Sequence, residues 1–132
     1  GVEITRHLQM LGATVVMACG SRAACAAHMQ LLTSTFTPAQ GAWAVTGVEL
    51  DLCSRSAIDR FVRNFRRDYG RLDMLVLAAE RAPCGAGSGP DRDVDPHMGQ
   101  RHLALRLRPD MGRALLTPPR LVATVPASHW LA

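Results

Sequence analysis

Apolar and polar residues alternate along this chain in two rhythms, one helical and one strand-like. In VEITRHLQML (2–11), Val2, Leu8 and Leu11 stand among polar neighbours at helical spacing, and Gly12 follows where helices commonly stop. ATVVMAC (13–19) is a short continuous apolar run with two adjacent valines, the mark of a strand buried on both faces of a parallel sheet. Gly20-Ser21 turns the chain, and Ser21 is placed to cap a helix reaching Leu32. A second cycle repeats the order. Residues 33–42 read as loop and WAVTGVEL (43–50) as strand, while Ser56-Ala-Ile-Asp59 is a variant capping box that opens a helix to Tyr69. Ile58, Phe61, Val62 and Phe65 make the apolar stripe of that helix, and Arg60, Arg63, Arg66 and Arg67 its solvated face. Gly70 ends it, and LDMLVLA (72–78) reads as a third buried strand.

Strands and helices in this order predict right-handed β-α-β units and a parallel sheet within one domain. Ligands of such sheets lie beyond the carboxyl ends of the strands. That directs attention to Cys19–Arg22, Asp51–Cys53 and Ala78–Glu80. Beyond residue 80 the rhythm fails. Residues 81–97, rich in Gly, Pro and Asp, read as an irregular loop. Residues 97–116 have helical spacing but contain Pro109, which costs a helix interior about 3 kcal/mol unless it begins a new helix. Pro118-Pro119 closes this region and Leu121–Val125 reads as a fourth strand.

Composition narrows the chemistry. All 15 basic residues are Arg, so Schiff-base catalysis and a phosphate-binding lysine are excluded. GC-rich coding accounts for that bias. A nucleic-acid surface would pair its arginines with aromatics, and at 5% aromatic content nucleic acid is an unfavoured partner. Cys19, Cys25, Cys53 and Cys84 form no Cys-x-x-Cys and read as reduced thiols, which predicts an intracellular, cytoplasmic protein. His7, His28, His97, His102 and His129 lack metal-ligand spacing, so no metal is expected and all five read as structural or surface residues. No apolar run approaches the ~18 residues of a membrane span. A first residue other than Met predicts a natural start elsewhere.

Five stretches resemble the short-chain dehydrogenase/reductase family, most nearly its retinol-dehydrogenase and WW-domain-containing oxidoreductase branch. GVEITRHLQMLGATVVMAC (1–19) is similar to the segment beginning at the last glycine of the family's Gly-rich turn. VELDLCSRSAIDRFVRNF (48–65) is similar to its Leu-Asp-Leu stretch and the following helix, and LDMLVLAAE (72–80) to its Leu-Val-Asn-Asn-Ala-Gly strand end. PDMGRALLT (109–117) and RLVATVPASHW (120–130) resemble its Asn-His-x-Gly-His-Phe-Leu-Leu-Thr helix and its strand ending in Ser-Ser-x-Ser-His. The likeness is strongest over residues 1–79. It implies a partial NAD(P)-binding domain over residues 1–132: a Rossmann-like three-layer parallel sheet that lacks the first strand and the C-terminal catalytic part.

The resemblance also assigns residues. Gly1 would stand where the cofactor pyrophosphate meets a helix start. Asp51, beside Leu52, would contact adenine, and Ala78 and Ala79 would line the cofactor at a strand end. No acid follows Cys19 to bind the ribose hydroxyls of NAD(H). The branch's Arg directly after the Cys is Gly20 here, and Arg22 two residues on could meet a 2′-phosphate, so NADP(H) is expected over NAD(H). The chemical positions depart from the family. Leu77 and Ala78 replace its asparagines, Glu80 its glycine and Pro109 the helix asparagine, while Pro126 stands where the catalytic serine belongs, with Ser128 two residues on. The relay needs a Tyr and a nearby Lys; the only tyrosine, Tyr69, is followed four residues later by Asp73, and there is no Lys. No catalytic residue is therefore assigned.

Three readings follow: an inactive fragment or degenerate oxidoreductase, a partner-binding remnant of the fold, or an Arg-driven nucleic-acid binder using Arg101, Arg106, Arg108 and Arg113. A defined surface patch on a stable soluble chain would favour the second, and steeply salt-dependent binding the third. In the family's sheet the first strand is central, so 13–19 and 72–78 are each expected to lack a partner and to promote self-association.

Overall fold

The structure, a computed structural model, describes residues 2–34, 45–78, 94–108 and 120–125. Its elements are α1 (Val2–Met10), β1 (Thr14–Cys19), α2 (Arg22–Ser34), β2 (Val45–Glu49), α3 (Arg55–Tyr69), β3 (Met74–Leu77), α4 (Pro96–Arg106) and β4 (Arg120–Val125). The chain is a mixed α/β protein. The four strands among the described residues form one parallel sheet in the order β2-β1-β4-β3.

Local chemistry explains most boundaries. Gly12 takes φ 82° after α1, and Ser21 Oγ accepts the Ala24 N–H at 3.1 Å to cap α2. At α3 the cap is Ser54, not Ser56. Ser54 Oγ accepts the Ala57 N–H at 3.2 Å, and Ser56 lies inside the helix with its hydroxyl 3.1 Å from that of Ser54. Asp59 is thereby freed from the expected capping box and turns to α4. Gly70, at φ 71°, ends α3 and donates its N–H to the Arg66 carbonyl.

The alternation of β1 sends its side chains into two cores. Val16 and Ala18 join Ile58, Phe61, Val62 and Phe65 of α3 and Leu103 of α4. Met17 and Cys19 meet Ala24, Cys25 and Leu32 of α2, with Val2 of α1 beside them. Val2 lies near the end of β1 and Leu8 near its start, so α1 runs against the strand and begins at the carboxyl edge of the sheet. Burying each large side chain contributes roughly 1.5–3 kcal/mol.

Three expectations change. β4 lies between β1 and β3, pairing Thr14–Cys19 with Arg120–Val125 and Met74–Leu77 with Leu121–Thr124. The inner edges of both expected orphan strands are thus filled by β4 of the same chain, and the premise for self-association through them falls. Second, β3 is an edge strand and not a buried one, with Met74 48% and Leu77 40% exposed. Third, α4 begins at Pro96, inside the expected loop, because Asp95 caps it and proline suits a first helical turn. It ends at Arg106, short of Pro109, whose ring disfavours helical geometry at the residue before it. The rest of the 97–116 helix, and Gly1, Ala79 and Arg113, lie outside the described residues.

Candidate functional site

The carboxyl ends of β1 and β2 lie side by side. Leu50 N–H donates to the Cys19 carbonyl at 2.7 Å, so the turns after the two strands are joined. Arg22, on the first turn of α2, reaches across to β2, with its Nε 3.3 Å from Glu49 Oε2. The Arg22 side chain is 93% exposed, so this pair is a weak, solvent-screened one. Asp51 folds back on its own turn: Oδ1 accepts the Cys53 N–H at 2.9 Å, and its carbonyl accepts the Ser54 N–H at 3.2 Å. That is ordinary Asx-turn work, and it fixes the Asp51 carboxylate at the carboxyl end of β2.

Arg22 and Asp51 border one cavity of ≈ 750 Å³ between β2 and α3. Val16, Thr46 and Val48 of the sheet form one wall, and Phe61, Phe65 and Tyr69 of α3 the other. The aromatic rings continue along the helix, with centroids 6.1 Å apart for Phe61–Phe65 and 5.0 Å for Phe65–Tyr69.

The other assigned residues are dispersed. Leu52 packs into the α3–α4 core, and α4 closes over its turn, where Val94 N–H donates to the Cys53 carbonyl at 3.1 Å. Ala78 follows β3, separated from the β1 end by β4, hence by two strand spacings of about 4.8 Å each. Four of the six assigned positions are described, and two of those share a cavity.

The cysteines correct a further expectation. Cys19 and Cys25 are free and buried, but Cys53 is disulfide-bonded to a partner outside the described residues. A search for Cys-x-x-Cys is blind to pairs distant in sequence. Burial, then the neighbouring Cys25 thiol, pushes the Cys19 thiol far above its ordinary range, so it stays protonated and is no nucleophile. Among the described residues, no group of three or more His, Cys, Asp or Glu is placed to hold a metal ion, and no helix is long and apolar enough to cross a membrane.

A second polar cluster joins α3 to α4. Asp59 Oδ1 accepts from His102 Nε2 at 3.0 Å and lies 3.3 Å from Arg106 Nε. The hydrogen bond from His102, with help from Arg106 and Arg63, holds the Asp59 carboxyl below the usual range. A carboxylate so depressed stabilises the fold above its unfolded-state value, and that contribution is lost as the pH falls through the folded one. Thermal melts from pH 7 to pH 2 test this: Asp59→Asn should melt lower than the parent at neutral pH and converge with it in acid. A constant gap across the range would refute the linkage.

Glu49, Gly99 and the Asp59–His102 pair escaped the sequence reading. An isolated glycine in a helical pattern costs stability against alanine and so marks a packing or cap position, a signal that Gly99 carries. The ion pairs carry no local signature. Compared with known proteins, the chain matches no family model and no curated protein.

Proposed function

We propose that this chain is a non-catalytic, nucleotide-binding member of the Rossmann-like three-layer class, derived from the short-chain dehydrogenase/reductase pattern and preferring NADP(H) to NAD(H). The observation that carries the reading is the placement of Arg22 and Asp51 at the carboxyl ends of adjacent parallel strands, on one cavity. Ligands of open α/β sheets bind at that edge, and a guanidinium there suits a phosphate monoester. In this reading β4 occupies the central place that the first strand holds in a dinucleotide-binding sheet.

Arg22 is engaged with Glu49, so a 2′-phosphate would have to displace a carboxylate. Affinity is therefore expected to rise in Glu49→Gln and fall in Arg22→Ala. In a thermal-shift titration, NADPH at ~100 times its dissociation constant should add about 2.7 kcal/mol of stability. Equal protection by NADH, or an unchanged response in Arg22→Ala, would count against the proposal.

No turnover is expected with either cofactor on carbonyl or alcohol substrates. The sequence has no Lys to depress a tyrosine pKa, and Tyr69 lies on α3 against Phe65. Hydride transfer that co-purifies with this polypeptide through successive columns would defeat that expectation.

A further inference from the structure

We propose that the outer face of α3 and α4 docks on an anionic bilayer surface, independently of any nucleotide bound at the carboxyl edge. The two helices form one surface: Arg66 Nη2 donates to the Arg106 carbonyl at 2.6 Å, and Asp59 bonds to His102 across the seam. Arg63 and Arg67 project from α3, and Arg101, Arg106 and Arg108 from α4 or just after it, all exposed. The acids on this face are engaged, Asp59 with His102 and Arg106, Asp68 with Arg67. Arg67 and Arg106 are matched by these two acids, so among the described residues Arg63, Arg101 and Arg108 remain in excess and the face is net basic.

Into that field α4 pushes two large apolar side chains, Met98 at 51% and Leu105 at 64% exposure. They are seven residues apart, two turns along one side of the helix, with Arg101 between them. Gly99, Leu103 and Leu107 take the opposite, buried side, so the core does not need Met98 or Leu105. A partner for this face must accept guanidinium groups and apolar side chains together. Lipid phosphates and the acyl boundary beneath them do so, the Arg stems lying along the headgroups while Met98 and Leu105 sink below. A nucleic acid would use the arginines alone. Phe61 and Phe65 are buried and Tyr69 faces the β2–α3 cavity, so among the described residues the face presents no ring to stack on a base.

The test uses the full chain and sedimentation with two kinds of vesicle, phosphatidylcholine alone and phosphatidylcholine with phosphatidylserine. Partitioning should favour the anionic vesicles by at least about tenfold at low salt and collapse near 0.5 M salt, where the Debye length is about 4 Å. Arg101→Gln and Arg108→Gln should each cost about fivefold, the equivalent of roughly 1 kcal/mol per basic residue. Leu105→Gln should weaken binding to the same vesicles, and circular dichroism should show all three exposed-site variants folded. Equal binding to both vesicle types, no binding to either, or Leu105→Gln indistinguishable from the parent overturns the proposal. So does tighter binding of a DNA duplex that ignores Leu105→Gln, which would reassign the face to nucleic acid.

Discussion

A chain ending at Pro119 should lose cooperative unfolding altogether, whereas one ending at Val125 should keep it. The cut removes β4 from between β1 and β3, where it pairs with six residues of one and four of the other. β1 is fully enclosed, with Val15, Val16 and Met17 at most 1% exposed, so its backbone groups could not turn to water without opening both cores. A buried N–H or C=O left unpaired costs about 1–3 kcal/mol. Several of them match the ~5–15 kcal/mol that holds an ordinary domain together. Thermal melts followed by circular dichroism distinguish the two chains. A sharp melt of the shorter one, within a few degrees of the parent, would show that β1 and β3 pair directly once β4 is gone.

Gly99→Ala should destabilise by about 3 kcal/mol, although the same change inside a typical helix stabilises by about 1 kcal/mol. The reason is where α4 lies. A Cβ at position 99 would run into the Leu52 carbonyl, overlapping its oxygen and standing 2.8 Å from its carbon. The obstacle is backbone in a turn already held by Asp51 Oδ1 and by the Val94 N–H, so it cannot swing aside as a side chain could. To admit the methyl, α4 must lift, and Leu103 and Leu107 must leave the core they fill. Urea denaturation measures the difference. A more stable Gly99→Ala protein would mean that α4 does not press on residues 51–53. Ala104→Gly, on a half-buried position of the same helix, controls for simple propensity and should cost about 1 kcal/mol.

Those two positions mark the boundary of what could be read from the residues. Much that is governed by neighbours in sequence was legible: the Gly12 and Gly70 stops, the Ser21 cap, the apolar stripe of α3, and the strand character of 13–19 and 121–125. The α3 cap was misplaced by two residues because Ser54 and Ser56 are equally good oxygen acceptors. In the structure Ser54 takes the cap and Asp59 bonds to His102. Strand order was not legible. LDMLVLA is as apolar as a central strand, and hydrophobicity reports how much surface a segment would like to bury, not which neighbour buries it. The sequence likewise marked Arg22 and Asp51 as strand-end residues without showing that Glu49 holds one and the Cys53 N–H the other. Ion pairs and turn bonds depend on distances between elements, which no local pattern encodes.

The central position of β4 also sets the order in which this protein can be built. During synthesis β1 and β2 emerge before β3 and β4, with α2 and ten further residues (35–44) between them, and can pair as soon as both exist. β3 must wait, for its partner follows it by roughly forty residues, and such long closures slow folding. A sheet that grows outward adds each new strand to an edge. This one must be completed by wedging β4 between β1 and β3. Until Val125 clears the ribosome, the facing edges of β1 and β3 are both open, apolar and able to capture a neighbouring nascent chain. Refolding yield should accordingly fall with protein concentration more steeply than equilibrium stability would forecast, because the vulnerable interval ends only when β4 arrives.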